Sequence, residues 1–106
     1  TLREQNVKPV LMTTNPTRWT SKLRDLYGKP PYRPDEPDGF DAPVLASYNE
    51  AVRRLAAELA VPLVDVHAAF TAQNADQLLL DGMHPNDAGH QLIADLLVPI
   101  LREQLP

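Results

Sequence analysis

Two short apolar runs, Val10-Leu11-Met12 and Leu63-Val64-Asp65-Val66, bracket one amphipathic repeat, and that order restricts the fold more than any other feature of the chain. The first run lacks strong apolar/polar alternation, as expected of a strand covered on both faces. Between the runs Val44, Tyr48, Val52, Leu55 and Leu59 recur at helical spacing, with Glu50, Arg53, Arg54 and Glu58 on the other face. Asp41 stands where an N-cap belongs, Pro43 is tolerated in the first turn, and Pro62 ends the helix. Strand, crossover helix and strand make a βαβ unit, with parallel strands and a right-handed connection. The chain therefore reads as α/β.

The flanking segments extend this order. Thr1 to Asn6 reads as the tail of a helix, and Val7 to Thr14 as the first strand, whose regular pairing starts at Val10 because Pro9 has no donor. Ala68 to Gln73 and Asp76 to Leu80 read as a short helical turn and a connection. A last helix starts near Asn86 as N-cap and runs to about Leu105, burying Leu92, Ile93, Leu96, Leu97, Ile100 and Leu101. Pro99 in its interior predicts a kink or a break between Asp95 and Pro99.

With 106 residues, 43% apolar and 23% charged, the chain can build one modest core in one domain, and not two. A net charge of -4 favours neither nucleic acid nor an anionic membrane surface as partner. No apolar run approaches the roughly 20 residues of a membrane-spanning helix. The absence of cysteine excludes disulfides, thiolate metal sites and a Cys nucleophile.

Residues 15–41 form a long segment without periodicity, holding Pro16, Pro30, Pro31, Pro34 and Pro37 together with Trp19, Tyr27, Tyr32 and Phe40. Ser21 to Tyr27 can form a short helix inside it. Loops of this length are usually functional or disordered. Trp19, Tyr27 and Tyr32 either line a ligand pocket or simply pin the loop to the surface.

The chemistry concentrates in Asp81-Gly82-Met83-His84-Pro85-Asn86, followed by Asp87-Ala88-Gly89-His90. A carboxylate three residues before an imidazole, in a turn that Gly82 permits and Pro85 stiffens, can accept the Nδ1 proton and fix the tautomer. Ligands of open α/β sheets bind beyond the carboxyl ends of the strands. Thr13, Thr14 and Asn15 leave the first strand there, His67 leaves the second, and the Asp81 to His84 turn is the last loop before the final helix. A metal site built from Asp81, His84 and His90 is the competing reading of these residue types. His67 and Asp65 read as hydrogen-bonded structural groups, and Asp87 as charge complementing the helix dipole.

The block Asp81-Gly82-Met83-His84-Pro85-Asn86-Asp87-Ala88-Gly89-His90 closely resembles the last conserved block of the SGNH hydrolases, also called the GDSL lipase/esterase family. Thr14-Asn15-Pro16 after the first strand and Pro62-Leu63-Val64-Asp65 after the helix are similar to that family's late βαβ unit. The resemblance runs over essentially the whole chain, although only the Asp81–Asn86 block is specific. It implies a three-layer α/β/α, flavodoxin-like domain with a parallel sheet, of which residues 1–106 are the C-terminal part. It also implies a Ser-His-Asp triad to which His84 and Asp81 belong, with no cofactor and no metal.

The family's Gly-Asp-Ser block, its oxyanion Gly and its Gly-x-Asn-Asp block all precede the region covered, and none occurs in this chain. Ser21 and Ser47, the only serines, lack the strand-to-helix context of such a nucleophile. The expectation is a serine ester hydrolase, a carbohydrate O-deacetylase or short-chain acyl esterase, whose serine and oxyanion donors come from an N-terminal half in the same or a separate chain. The chain alone is then inactive. Asn15 is a candidate oxyanion or substrate contact, because an Asn amide can serve there. The alternative is a non-catalytic remnant or interaction module without a nucleophile. The acyl group, the alcohol and the oligomeric state are not read from these residues. The cellular location would be read from the preceding segment.

Overall fold

The computed structural model describes all 106 residues. Strand β1 (Leu11–Met12) and strand β2 (Leu63–Val64) pair in parallel, Leu11 opposite Leu63 and Met12 opposite Val64. Leu11 N–H to the Pro62 carbonyl and Thr13 N–H to the Val64 carbonyl carry the pairing past both ends. Helix α1 (Ser21–Tyr27) lies inside the Pro-rich loop, its N-terminus capped by the Thr20 hydroxyl. Helix α2 (Ser47–Leu59) makes the crossover, α3 (Val66–Gln73) follows β2 directly, and α4 (Asp87–Gln104) closes the chain. Asp65 caps α3 through the Ala68 amide and Asn86 caps α4 through the Gly89 amide.

Helices cover both faces of the pair. Successive side chains of a strand point to opposite faces. Val10 packs into the core built by Val64, Val66, Phe70, Ala75, Leu78 and Leu79 with Leu92, Ile93, Leu96, Leu97 and Ile100 of α4. Leu11 instead shares an apolar groove with Leu55 and Leu59 of α2. The layering is therefore α4, sheet, α2. Gly89 lets α4 approach this closely, since a Cβ there would sit 2.4 Å from the Leu78 carbonyl oxygen.

Five local expectations differ from the structure. Thr1 to Asn6 forms turns rather than a helix, as six residues give a nucleus almost nothing to propagate, and Asn6 leaves them at φ 61°. Of the second run only Leu63 and Val64 pair, because Asp65 and Val66 are taken by the start of α3. Asp41 makes no cap; a π-helical turn at Ala42–Ala46 precedes α2, and the Asp41 carboxylate turns elsewhere. In α2 the buried residues are Asn49 and Ala56, while Tyr48, Leu55 and Leu59 stay exposed. Two strands about 5 Å apart cannot cover the stripe of a helix about 10 Å across. Finally, α4 runs through Pro99 without a break, and Leu101 is exposed. Asp95, whose carbonyl loses its partner to the proline, and Pro99 itself lie on the solvent side.

Candidate active site

The Asp81–His84 turn is the tip of a small hairpin. Leu79 and Pro85 form an antiparallel bridge, the Leu80 N–H donates to the His84 carbonyl at 2.7 Å, and the Asn86 N–H donates to the Leu78 carbonyl at 2.9 Å. Gly82 takes φ +88° at the tip, a conformation side chains disfavour. Asp81 ties the turn from inside: Oδ1 accepts the Met83 N–H at 2.9 Å and the His84 N–H at 2.8 Å, and Oδ2 lies 2.7 Å from His84 Nδ1. Asn86 adds a side-chain bond to the Gln77 carbonyl at 2.8 Å, which joins the hairpin base to α4.

These contacts decide the proton positions. The His84 backbone N–H, then its ring, then the Met83 N–H hold the Asp81 carboxyl well below the usual carboxylate range. An ionised carboxylate only accepts, so Nδ1 of His84 carries a proton, and in the neutral imidazole the lone pair is therefore at Nε2. The imidazole is exposed and Nε2 makes no hydrogen bond within the chain. The arrangement can remove a proton from a group brought to Nε2, with the resulting imidazolium stabilised at Nδ1.

The Pro-rich loop braces the turn from outside. The Asn15 amide donates to the Met83 carbonyl at 2.8 Å and to the Pro16 carbonyl at 3.0 Å, and the Arg18 N–H donates to the Gly82 carbonyl at 2.8 Å. The loop is in turn fixed at the sheet edge. Asp41, buried, accepts the Thr17 N–H at 3.1 Å and sits 2.7 Å from His67 Nε2. The Thr13 hydroxyl accepts the His67 N–H at 3.0 Å and donates to Asp65 at 2.9 Å. Asp65 also receives Arg53 through Nε at 2.8 Å and Nη2 at 3.1 Å, and this pairing pulls its pKa down to about 2. Asn49, fully buried on α2, accepts the Thr14 N–H at 2.9 Å and so fixes the end of β1.

Of the residues singled out by sequence, Asp81, His84 and Asn15 meet at one turn. Trp19, Tyr27 and Tyr32 meet one another around Phe40. Trp19 stacks on Phe40 at 4.7 Å, Tyr27 stacks on it at 5.3 Å, and Tyr32 meets it edge-on at 5.0 Å. The Arg24 guanidinium lies over the Trp19 ring and the indole N–H donates to the Arg33 carbonyl; Trp19 is half-buried there and lines an open groove with Arg18, Arg24 and Asp76. The donors an oxyanion would need from Asn15 are engaged by two carbonyls. His90 and Asp87 border an open groove of about 530 Å³ with Leu80, Pro85, Asn86 and Ala88. No three His or acidic side chains converge as metal ligands. Ser47 bonds to the Val44 carbonyl, and neither serine hydrogen-bonds to His84. Sequence reasoning missed Asn49, which was signalled by its i, i+3, i+7 register with Val52 and Ala56, and it named Phe40 only as one of the loop aromatics.

The family model of the GDSL-like Lipase/Acylhydrolase family matches residues 2–92, a span that includes the whole Asp81–His84 turn. The chain belongs to this family. Two solved structures share the fold over 98% of the chain. One is a GDSL-like lipase from Bacteroides thetaiotaomicron VPI-5482, with a TM-score of 0.73 and 16% identity. The other is a putative acylhydrolase from Bacteroides fragilis NCTC 9343, with a TM-score of 0.67 and 21% identity. The chain spans 47% of the length of each. No curated protein matches it by sequence. The GDSL-like fold agrees with the α/β, flavodoxin-like class expected from the sequence, and no helix is long and apolar enough to cross a membrane.

Proposed function

We propose that residues 1–106 carry the acid–base half of a serine ester hydrolase, with a carbohydrate O-deacetylase or short-chain acyl esterase as the activity. The observation that carries this is the 2.7 Å contact between His84 Nδ1 and an Asp81 carboxylate already held by two backbone amides. That carboxylate is oriented before the imidazole takes up charge, which is what a His–Asp pair needs in catalysis.

In this reading a serine from the preceding half of the domain, in the same or a separate chain, attacks the acyl carbon while its hydroxyl proton passes to His84 Nε2. The tetrahedral intermediate collapses, the carbon–oxygen bond to the alcohol breaks, and His84 returns the proton to the leaving oxygen. Water repeats the sequence to release the acid. Oxyanion donors come from the same half. Support for a preceding half is the 47% coverage of the solved relatives together with the bare edge of β1, beside which Met12, Tyr48, Leu55 and Leu59 remain exposed. Trp19, Tyr27 and Tyr32, clustered around Phe40, are the loop's candidates for contact with the substrate.

The test is hydrolysis of p-nitrophenyl acetate by the full-length protein and its His84→Ala variant. Near-complete loss of turnover is expected in the variant. A full-length protein without any esterase activity would instead mark a binding module that keeps the fold without the chemistry.

A further inference from the structure

We propose that Asn15 is a positioning residue for His84, acting through the peptide bond that joins Met83 to His84. The inference rests on the hydrolase reading above and goes beyond it. The Met83 carbonyl and the His84 N–H belong to one rigid peptide plane. Asn15 Nδ2 donates to that carbonyl at 2.8 Å, and Asp81 Oδ1 accepts that N–H at 2.8 Å. The plane is therefore held at both ends, by residues 68 and 3 positions away along the chain. Holding it fixes the His84 N–Cα bond, and the His84 carbonyl, which accepts the Leu80 N–H at 2.7 Å, restrains rotation about that bond, so that the two together set the direction in which the Cα–Cβ bond leaves the backbone. Asp81 Oδ2 then fixes the ring about that bond.

The residue type suits the task. Asn15 bridges two carbonyls, those of Pro16 and Met83, and needs two donors on one short side chain. An Asn amide supplies both; a carboxylate supplies none and a hydroxyl only one. Its anchor is firm, because the preceding residues are tied down: the Thr13 N–H donates to the Val64 carbonyl and the Thr14 N–H to the buried Asn49. The neighbouring bond from the Arg18 N–H to the Gly82 carbonyl holds the tip of the turn but leaves the Met83–His84 peptide untouched. Asn15 thus transmits the position of the sheet to the imidazole without touching substrate.

The experiment compares the full-length protein with its Asn15→Ala and Asn15→Asp variants. The readouts are kcat and KM on p-nitrophenyl acetate, and the imidazole N–H signals by NMR. Asp keeps the shape of Asn and removes both donors, so it serves if Ala impairs folding. A misplaced base predicts a fall in kcat of about 10–100-fold with KM little changed, since such an error acts on the transition state. A downfield Nδ1 proton of His84 is expected in the wild type from its 2.7 Å contact with Asp81, and it should broaden or vanish in both variants. Wild-type kcat with a wild-type His84 signal in the folded variants overturns the proposal. So does a loss of activity that follows only the folded fraction. The His84→Ala variant run alongside separates the two readings. Wild-type turnover there removes the hydrolase assignment, while the NMR comparison still decides whether Asn15 positions the ring.

Discussion

Arg53 grips both oxygens of Asp65, tying α2 to the residue that follows β2 and caps α3, at 2.8 Å through Nε and 3.1 Å through Nη2. The pair also supports the candidate site, because Asp65 accepts the Thr13 hydroxyl, which in turn accepts the His67 N–H. The carboxyl, normally near 3.8, falls to about 2 in the fold, chiefly through Arg53. A pKa lower in the folded state means that the stabilisation is fully present above pH 3.8 and is lost as the pH falls through about 2. Arg53→Ala should destabilise by about 1–2 kcal/mol at pH 7, a figure discounted for the partial exposure of both side chains. Urea unfolding at pH 7 and at pH 2 checks this; a difference between variant and wild type that is undiminished at pH 2 contradicts it.

Gly82→Ala tests the turn itself. A Cβ there would lie 2.4 Å from the Arg18 carbonyl oxygen, and φ is +88°. The cost in stability should be about 1–3 kcal/mol from the backbone conformation alone. Because the tip of the turn is displaced, kcat should fall with it. A folded Gly82→Ala protein with unchanged midpoint and unchanged kcat would show that the turn tolerates another shape.

Asp41→Ala tests how the Pro-rich loop is held. The carboxylate is buried and serves Thr17 and His67 at once, so its removal strands a buried amide and costs about 2–3 kcal/mol. Hydrogen exchange should rise across residues 15–41 and remain slow in the core-facing part of α4. Uniform acceleration along the chain would mean that Asp41 supports the whole fold rather than the loop.

What the sequence made legible follows the range of the contacts involved. The Asp81–His84 pair is readable because its partners are three residues apart in one turn, and the Asn86 cap because it lies three residues from Gly89. The short helix at Ser21–Tyr27 and the parallel βαβ unit were readable from local pattern. Asp41 was not, since an N-cap is the local expectation for such a residue, whereas its actual partners lie 24 and 26 residues away. The partner of Asn15 was hidden for a similar reason: its amide looks available until Met83, 68 residues on, is brought beside it. The stripe Tyr48, Leu55 and Leu59 was read correctly as apolar, but how much of it is covered depends on the width of the sheet, which local periodicity does not contain.

The most direct test of the Asp81–His84 pair as a catalytic unit is a double-mutant cycle on kcat in the full-length protein, using Asp81→Ala, His84→Ala and the combination. Residues that act together are not additive. His84→Ala alone should lower kcat on the order of 10⁴-fold, and adding Asp81→Ala should lower it little further. Wild-type kcat in His84→Ala, or losses that simply multiply in the double variant, would contradict the assignment.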